Sequence, residues 1–419
     1  MYVPFARLHR DSAVALFRQR QGWLAQDATA AVPLGRLERR LRLHLHVLSR
    51  CGDEDPPPEK GPETFVHLAA RLDSPLEGQR IAGVEAACAF LAEGGAQGEG
   101  AFAALALVAP PEAQEALLDL YRGHEGLRPT LFRLWREQGV VVPAALVARD
   151  ELRRGGVDLQ QAALEYAAEA PAVGPEIFRS FYQPLLGGAA APKIPKTLLV
   201  PALWGGMVRG EREASRALRR AIERETGAGD EALLRLAALG GDADFLPVLR
   251  RHFETDPAQG AGLLALHGRA GAVEILLEAL KHPPARTAVA RVWPHLTGSP
   301  LPLVPRLRLV GDENPGENAA TIPDPLAAIR WWEEHRKEGA GRWIGGAAMS
   351  TAHLADLAGK TSGTAGRDIL DLLALQLGRP LGLSANAEQA RRRVALQEAL
   401  NQAPLRAVKQ QPPGVSCHV

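Results

Sequence analysis

Two stretches of the chain repeat one order of apolar and polar positions thirty residues apart: EALLRLAALGGDADFLPVLRRHF (231–253) and AGLLALHGRAGAVEILLEALKHP (261–283). They align Leu233 with Leu263, Leu234 with Leu264, Leu236 with Leu266, Gly241 with Gly271, Ala243 with Val273, Phe245 with Ile275 and Leu246 with Leu276. Apolar residues recur at helical spacing in both copies, as at Leu246 and Leu249 or at Ile275, Leu276, Ala279 and Leu280. The aligned glycines predict a tight turn between two helices. Each copy is then a helical hairpin with an apolar stripe that it cannot bury alone. Side-by-side stacking buries such stripes, which predicts an all-α protein built as an α-solenoid. The competing reading is an irregular helical bundle with two similar hairpins.

The rest of the chain continues in kind. Segments 110–154, 157–171 and 197–229 read as short helices broken by Gly and Pro, 82–95 is an alanine-rich helix, and period-two alternation of β-branched residues is missing. The ends differ. Residues 33–52 form one amphipathic helix with Leu34, Leu37, Leu41, Leu45 and Leu48 on a face, followed by three consecutive prolines that exclude helix interior. The predicted organisation is an N-terminal helical cap and Pro-rich loop (1–60), a solenoid (61–298), a linker or strap with six prolines (299–325), and a C-terminal helical extension (326–419) frayed from Gln402.

Composition narrows the function classes. The net charge of +1 supplies no field for nucleic acid or an anionic membrane, and only 5% of residues are aromatic. Seven of the 49 basic residues are lysine, a bias that reads as GC-rich coding rather than as selection for a guanidinium surface. Cys51, Cys88 and Cys417 are few, odd in number and far apart, pointing to a reducing compartment. Charges interrupt the N-terminal apolar positions, and no uncharged apolar run reaches about 18 residues. The expectation is a cytoplasmic protein without membrane insertion.

The phrase GGDADFLPVLRRHF resembles the second half of a HEAT repeat, in which an Asp-bearing turn leads into an inward-packing helix. The interval here is shorter than the usual ~40 residues, nearer to compact bacterial versions. The order of parts resembles an uncharacterised group of proteobacterial HEAT-repeat proteins: LERRLRLHLHVL early, hairpins such as LLALHGRAGAVEILLEAL, a last hairpin ending in HLTG, then GDENPGENAATIPDP, WWEEHRKEGAGRWIGG and TSGTAGRDILDLLALQLGRPL. It covers most of the chain without one diagnostic motif, and the poorly periodic region 184–195 departs from the pattern. Members are often encoded near type VI secretion genes, so the resemblance implies an accessory role with an effector or its loading machinery. It implies no catalytic residues.

Chemical motifs are sparse. LADLAGKTSG (354–363) contains Gly-Lys-Thr, but Leu354 stands where a phosphate loop needs glycine and no strand precedes it. In GDENPGEN (311–318), Asp312 and Asn314 suit a calcium loop whereas Glu313 and Glu317 do not complete it. His44 and His46, two apart on a helix, point to different sides and do not join Cys51 in a zinc site; Cys417 and His418 lack a second pair. No G-x-S-x-G, H-E-x-x-H or paired-cysteine motif occurs. No catalytic, metal or cofactor-binding residues are assigned.

Two clusters remain as binding candidates. Arg212, Arg216, Arg219 and Arg220 gather on one side of a helix flanked by Glu211, Glu213, Glu223 and Glu225, either an ion-paired solvated face or a contact for an acidic partner. Trp331, Trp332 and Trp343 anchor a terminal cap or form a binding hot spot. The sequence reading is a non-catalytic scaffold or adaptor that binds another protein, with no nucleic-acid partner, in the specific form of a secretion-linked adaptor, chaperone or immunity factor. The alternative is an enzyme with a cleft site on a helical-repeat scaffold, such as a DNA glycosylase-like or lyase-like HEAT enzyme. A pocket with converging polar groups and shifted pKa values favours the enzyme; an open groove favours the binder.

Overall fold

The computed structural model describes residues 3–51, 60–187, 194–224, 230–305, 321–336 and 341–401. The triple proline at 56–58, the acidic stretch 311–318, part of the region 184–195 and the tail with Cys417 and His418 lie outside the described residues.

Helices α1 (Val3–Leu24) and α2 (Ala31–Leu48) run antiparallel, His9 meeting His44 and Arg20 meeting Glu38. The leucine spacing places Leu34, Leu37, Leu41 and Leu45 on the buried face of α2, with Leu48 half-buried. There follow α3 (Gly61–Leu72), α4 (Glu77–Glu93), α5 (Gly95–Val108), α6 (Ala113–Gly123), α7 (Arg128–Gln138), α8 (Arg149–Arg154), α9 (Val157–Glu169) and α10 (Glu176–Tyr182). Next come α11 (Lys196–Val208), α12 (Arg212–Arg224), α13 (Glu231–Gly240), α14 (Leu246–Thr255), α15 (Pro257–His267), α16 (Ala270–Ala279) and α17 (Pro283–Thr297). Every odd-numbered helix from α3 to α17 touches the next odd-numbered one, while α4 touches α6, α10 touches α12 and α14 touches α16. One cluster of buried side chains extends from Ala13 to Leu396. The protein is all-α apart from three pairs of very short strands among the described residues.

The thirty-residue interval holds for the first helix of each hairpin. Leu233, Leu234 and Leu236 of α13 and Leu263, Leu264 and Leu266 of α15 are all buried. It fails at the turn. Gly241 ends α13 with φ +62°, but its structural counterpart is Gly268, φ +60°, rather than Gly271. A short 3-10 turn at Ala243–Phe245 lengthens the first connection and is missing from the second. The buried positions of the second helices therefore pair Phe245 with Ala272, Leu249 with Leu276 and Phe253 with Leu280, an interval of 27. Gly271 lies inside α16, where a Cβ would come within 2.6 Å of Leu246.

Aspartates start several helices. Asp230 accepts from the amides of Ala232 and Leu233, and Asp256 from those of Ala258 and Gln259. Arginines finish them. The last carbonyls of a helix have no partner within it, and a guanidinium there also meets the negative end of the dipole. Arg209 spends all five donors on Ala167, Ala168, Ala170, Val173 and Gly205 carbonyls, at the end of α9, just beyond it and within α11. Arg342 donates to Ala238, Leu239, Leu266 and His267 at the ends of α13 and α15. Arg391 reaches Ala106 and Gln138 at the ends of α5 and α7. The arginine bias that reads as coding in the sequence thus has a structural use.

Beyond α17 the chain turns back. β2 (Leu303–Pro305) pairs antiparallel with β3 (Thr321–Pro323), joining the ends of the proline-rich stretch. After α18 (Pro325–His335), β4 (Trp343–Ile344) pairs with β5 (Ala347–Ala348), followed by α19 (Thr351–Lys360), β6 (Thr361–Ser362), α20 (Gly363–Leu377) and α21 (Gln389–Asn401). α20 touches α11 and α13, α21 touches α2, and β6 pairs with β1 (Thr29–Ala30), so the last helices span back to the first. Buried Arg392 donates to Ser362 Oγ and to the Ala358 and Thr361 carbonyls, holding this junction. No described helix is long and apolar enough to cross a membrane.

Candidate functional site

Helix α12 buries Ala214, Ala217, Leu218 and Ala221 and leaves its arginines outside. Arg216 lies 3.6 Å from Glu213, Arg220 3.1 Å from Glu223, and Arg219 3.1 Å from Asp242 and 2.6 Å from Asp244. Arg212 is exposed at the start of the helix. Exposed pairs of this kind contribute only ~0–1 kcal/mol each, so their charges stay accessible to a competing carboxylate.

The three tryptophans come together across the chain return. Trp331 meets Trp293 of α17 edge-on at 5.7 Å and stacks on His335 at 4.2 Å. Trp332 and Trp343 are T-shaped at 5.0 Å and both buried, whereas Trp331 is half-buried. The Trp343 amide donates to the Gly268 carbonyl, but its indole Nε1 is buried without an acceptor among the described residues.

A third cluster escaped the sequence reading. Between the helix row and the returning segment lies a cavity of about 340 Å³. α7 brings Arg136 and Glu137, α9 brings Glu165 and Glu169, α13 brings Arg235, and α20 brings Arg367 and Asp371, with Trp204 of α11 and Leu381–Leu383 closing the walls. Arg136 binds Glu165 at 2.7 Å, and Arg235 binds both Asp368 and Asp371, at 2.5 and 2.6 Å. Ser384 Oγ donates to Glu137, and the Gly382 amide to the Glu169 carbonyl, fastening the returning segment over the cavity. A larger neighbouring cavity of about 830 Å³, lined by Phe17, Phe65, Phe102 and several glycines, is mainly apolar.

Burial shapes the charges in the smaller cavity. Desolvation pushes the Glu169 carboxyl up to about 8, outweighing Arg136. The side chain keeps 38% of its surface towards the cavity, so water there draws the value back towards the ordinary range. Desolvation also raises Asp371 against the opposing pull of Arg235. For Arg136, burial disfavours the cation, but Glu169, Glu165 and Glu137 together outweigh it and hold its pKa up. A carboxyl whose folded pKa is raised stabilises the fold relative to its ionised form below the unfolded value and loses that contribution as pH rises through the folded one. The Glu169 contribution to stability is therefore expected to fall as pH rises above the ordinary 4.5 towards its raised folded value. Glu169→Gln should fall less over that window, as thermal melts across pH will test; equal slopes would refute the assignment.

The remaining motifs take structural positions. Gly-Lys-Thr at 359–361 runs from the end of α19 into β6 rather than forming a phosphate loop, with Lys360 paired to Asp356 at 2.7 Å. His44 Nδ1 lies 2.9 Å from His9 Nδ1, and His46 faces Asp73 at 3.9 Å. Among the described residues no three His, Cys, Asp or Glu side chains are grouped to hold a metal ion. Compared with known proteins, the chain matches no family model, no curated protein and no solved structure. The cavity left little trace in the sequence because its charges come from four helices far apart in the chain. The readable signal was Glu165 and Glu169, one turn apart in the alanine-rich α9.

Proposed function

We propose that the chain is a non-catalytic scaffold or adaptor, an α-solenoid of compact HEAT-like hairpins that binds another protein. The observation that carries this reading is the unbroken succession of odd-helix contacts from α3 to α17, the neighbour pattern of a stacked repeat array. The returning helix α20 covers α11 and α13, so the contact surface is assigned to the exposed side of α12, where Arg212, Arg216, Arg219 and Arg220 face carboxylates of an acidic partner. The resemblance to proteobacterial HEAT-repeat proteins extends the proposal to a cytoplasmic accessory, chaperone or immunity role beside type VI secretion.

The test is affinity capture of tagged protein from its native host, with mass spectrometry of what is retained. A stoichiometric partner lost by about tenfold or more on Arg212→Glu, Arg216→Glu, Arg219→Glu and Arg220→Glu in combination supports the proposal. Recovery of the protein alone at native expression and low salt refutes it.

The charged cavity favours a second reading, an enzyme with a cleft site. Glu169 at a raised pKa is the right kind of group for general acid-base work near neutral pH. Turnover that disappears in Glu169→Gln while partner capture persists would replace the scaffold by this reading.

A further inference from the structure

The polar groups around the smaller cavity are not all matched. Arg136 has Glu165, Arg235 has Asp368 and Asp371, and Glu137 accepts from Ser384. Glu169 is held more loosely, by one long ion pair. Its nearest cation is Arg136 Nε at 3.9 Å, beyond hydrogen-bond reach, and 38% of its side chain opens to the cavity. Arg367 also lines the cavity, is exposed, and forms no hydrogen bond or ion pair with a described residue. It is near enough to act electrostatically on both Glu169 and Asp371, yet it does not close an ion pair with either. One cavity therefore presents a carboxyl held only by a long ion pair and without a hydrogen bond, and a guanidinium without a hydrogen bond or ion pair among the described residues.

A ligand that satisfies both must bear a cation and an anion on one small skeleton. We propose that the cavity between the helix row and the returning segment binds a free α-amino acid with an apolar side chain, its ammonium on Glu169 and its carboxylate on Arg367. Guanidinium binds carboxylate through two parallel hydrogen bonds, which makes Arg367 the orienting group. The remaining walls are apolar, from Trp204, Pro201, Leu236, Leu370 and Leu381, and receive the side chain. The indole of Trp204 adds a face suited to the ammonium. About 340 Å³ falls within the range of small-molecule sites. The Gly382 amide on the Glu169 main-chain carbonyl and the Ser384 hydroxyl on Glu137 hold the returning segment beside the site. This site is independent of the α12 surface and of the scaffold reading.

The experiment is calorimetric titration and thermal shift of the full chain with L-leucine, L-methionine and L-phenylalanine, alongside isoamylamine and isocaproate, which keep leucine's side chain but lack its carboxylate or its ammonium. The expected result is millimolar or tighter binding of at least one amino acid, about tenfold weaker binding of both analogues, and a loss of about tenfold in Glu169→Gln and in Arg367→Ala. Both variants should retain helical content and a cooperative melt without ligand, since one is isosteric and the other lies at an exposed residue. The proposal is overturned if none of the three amino acids binds at millimolar concentration. It is equally overturned if isoamylamine or isocaproate binds as well as leucine, or if neither substitution weakens binding in a folded variant.

Discussion

Arg342→Ala is expected to lower the stability of the folded chain by about 3 kcal/mol, comparable with removing one member of a buried ionic contact. Its guanidinium donates to four carbonyls at 2.8–3.0 Å: Ala238 and Leu239 at the end of α13, and Leu266 and His267 at the end of α15. It lies directly over Gly241, where a Cβ would fall 2.6 Å from the guanidinium carbon. Burial lowers its pKa to about 10, which still leaves it cationic at neutral pH. Truncation strands four carbonyls at two helix ends and releases the segment entering β4. Arg342→Lys should recover only part of the loss, because an ammonium on a flexible stem cannot fork across two helix ends. Denaturant titration of the three proteins measures this; a loss of under about 0.5 kcal/mol for the alanine variant, as at an ordinary surface position, would refute it.

Trp332→Ala should cost a similar amount, about 3–4 kcal/mol, by leaving a cavity in a region that cannot collapse to fill it. Trp332 is 4% exposed, sits on α18, and packs edge-on against Trp343 at 5.0 Å. Through Trp331 and Trp293 the cluster ties the segment beyond the proline-rich stretch to α17. Loss of this anchor is expected to lower the melting temperature. If melting is unchanged and partner capture disappears, the residue is a binding hot spot instead and the structural role is wrong.

The two variants test different kinds of legibility. The tryptophans were visible as a cluster because aromatic residues are scarce in this chain. Arg342 was invisible, since one arginine in GAGRWIGG looks like any other until two distant helix ends are brought beneath it. The same holds for the repeat. Its interval could be read from Leu233, Leu234 and Leu236 against Leu263, Leu264 and Leu266, but the choice of turn glycine could not. Gly241 and Gly271 align in sequence; only backbone geometry shows that Gly268 carries the left-handed conformation and that Gly271 permits close packing on Leu246.

Helix content, the buried stripe of α2, the aspartate caps and the absence of long strands among the described residues follow from interactions within a few turns, so local pattern was enough to set them. The path of the chain after α17, the seating of arginines on foreign helix ends and the placing of Glu169 and Arg367 on one cavity depend on contacts across hundreds of residues. No local spacing encodes such contacts. They arise when α20 returns to α11 and α13, placing charges from separate helices around one partly open cavity and reducing the water that would otherwise have screened them.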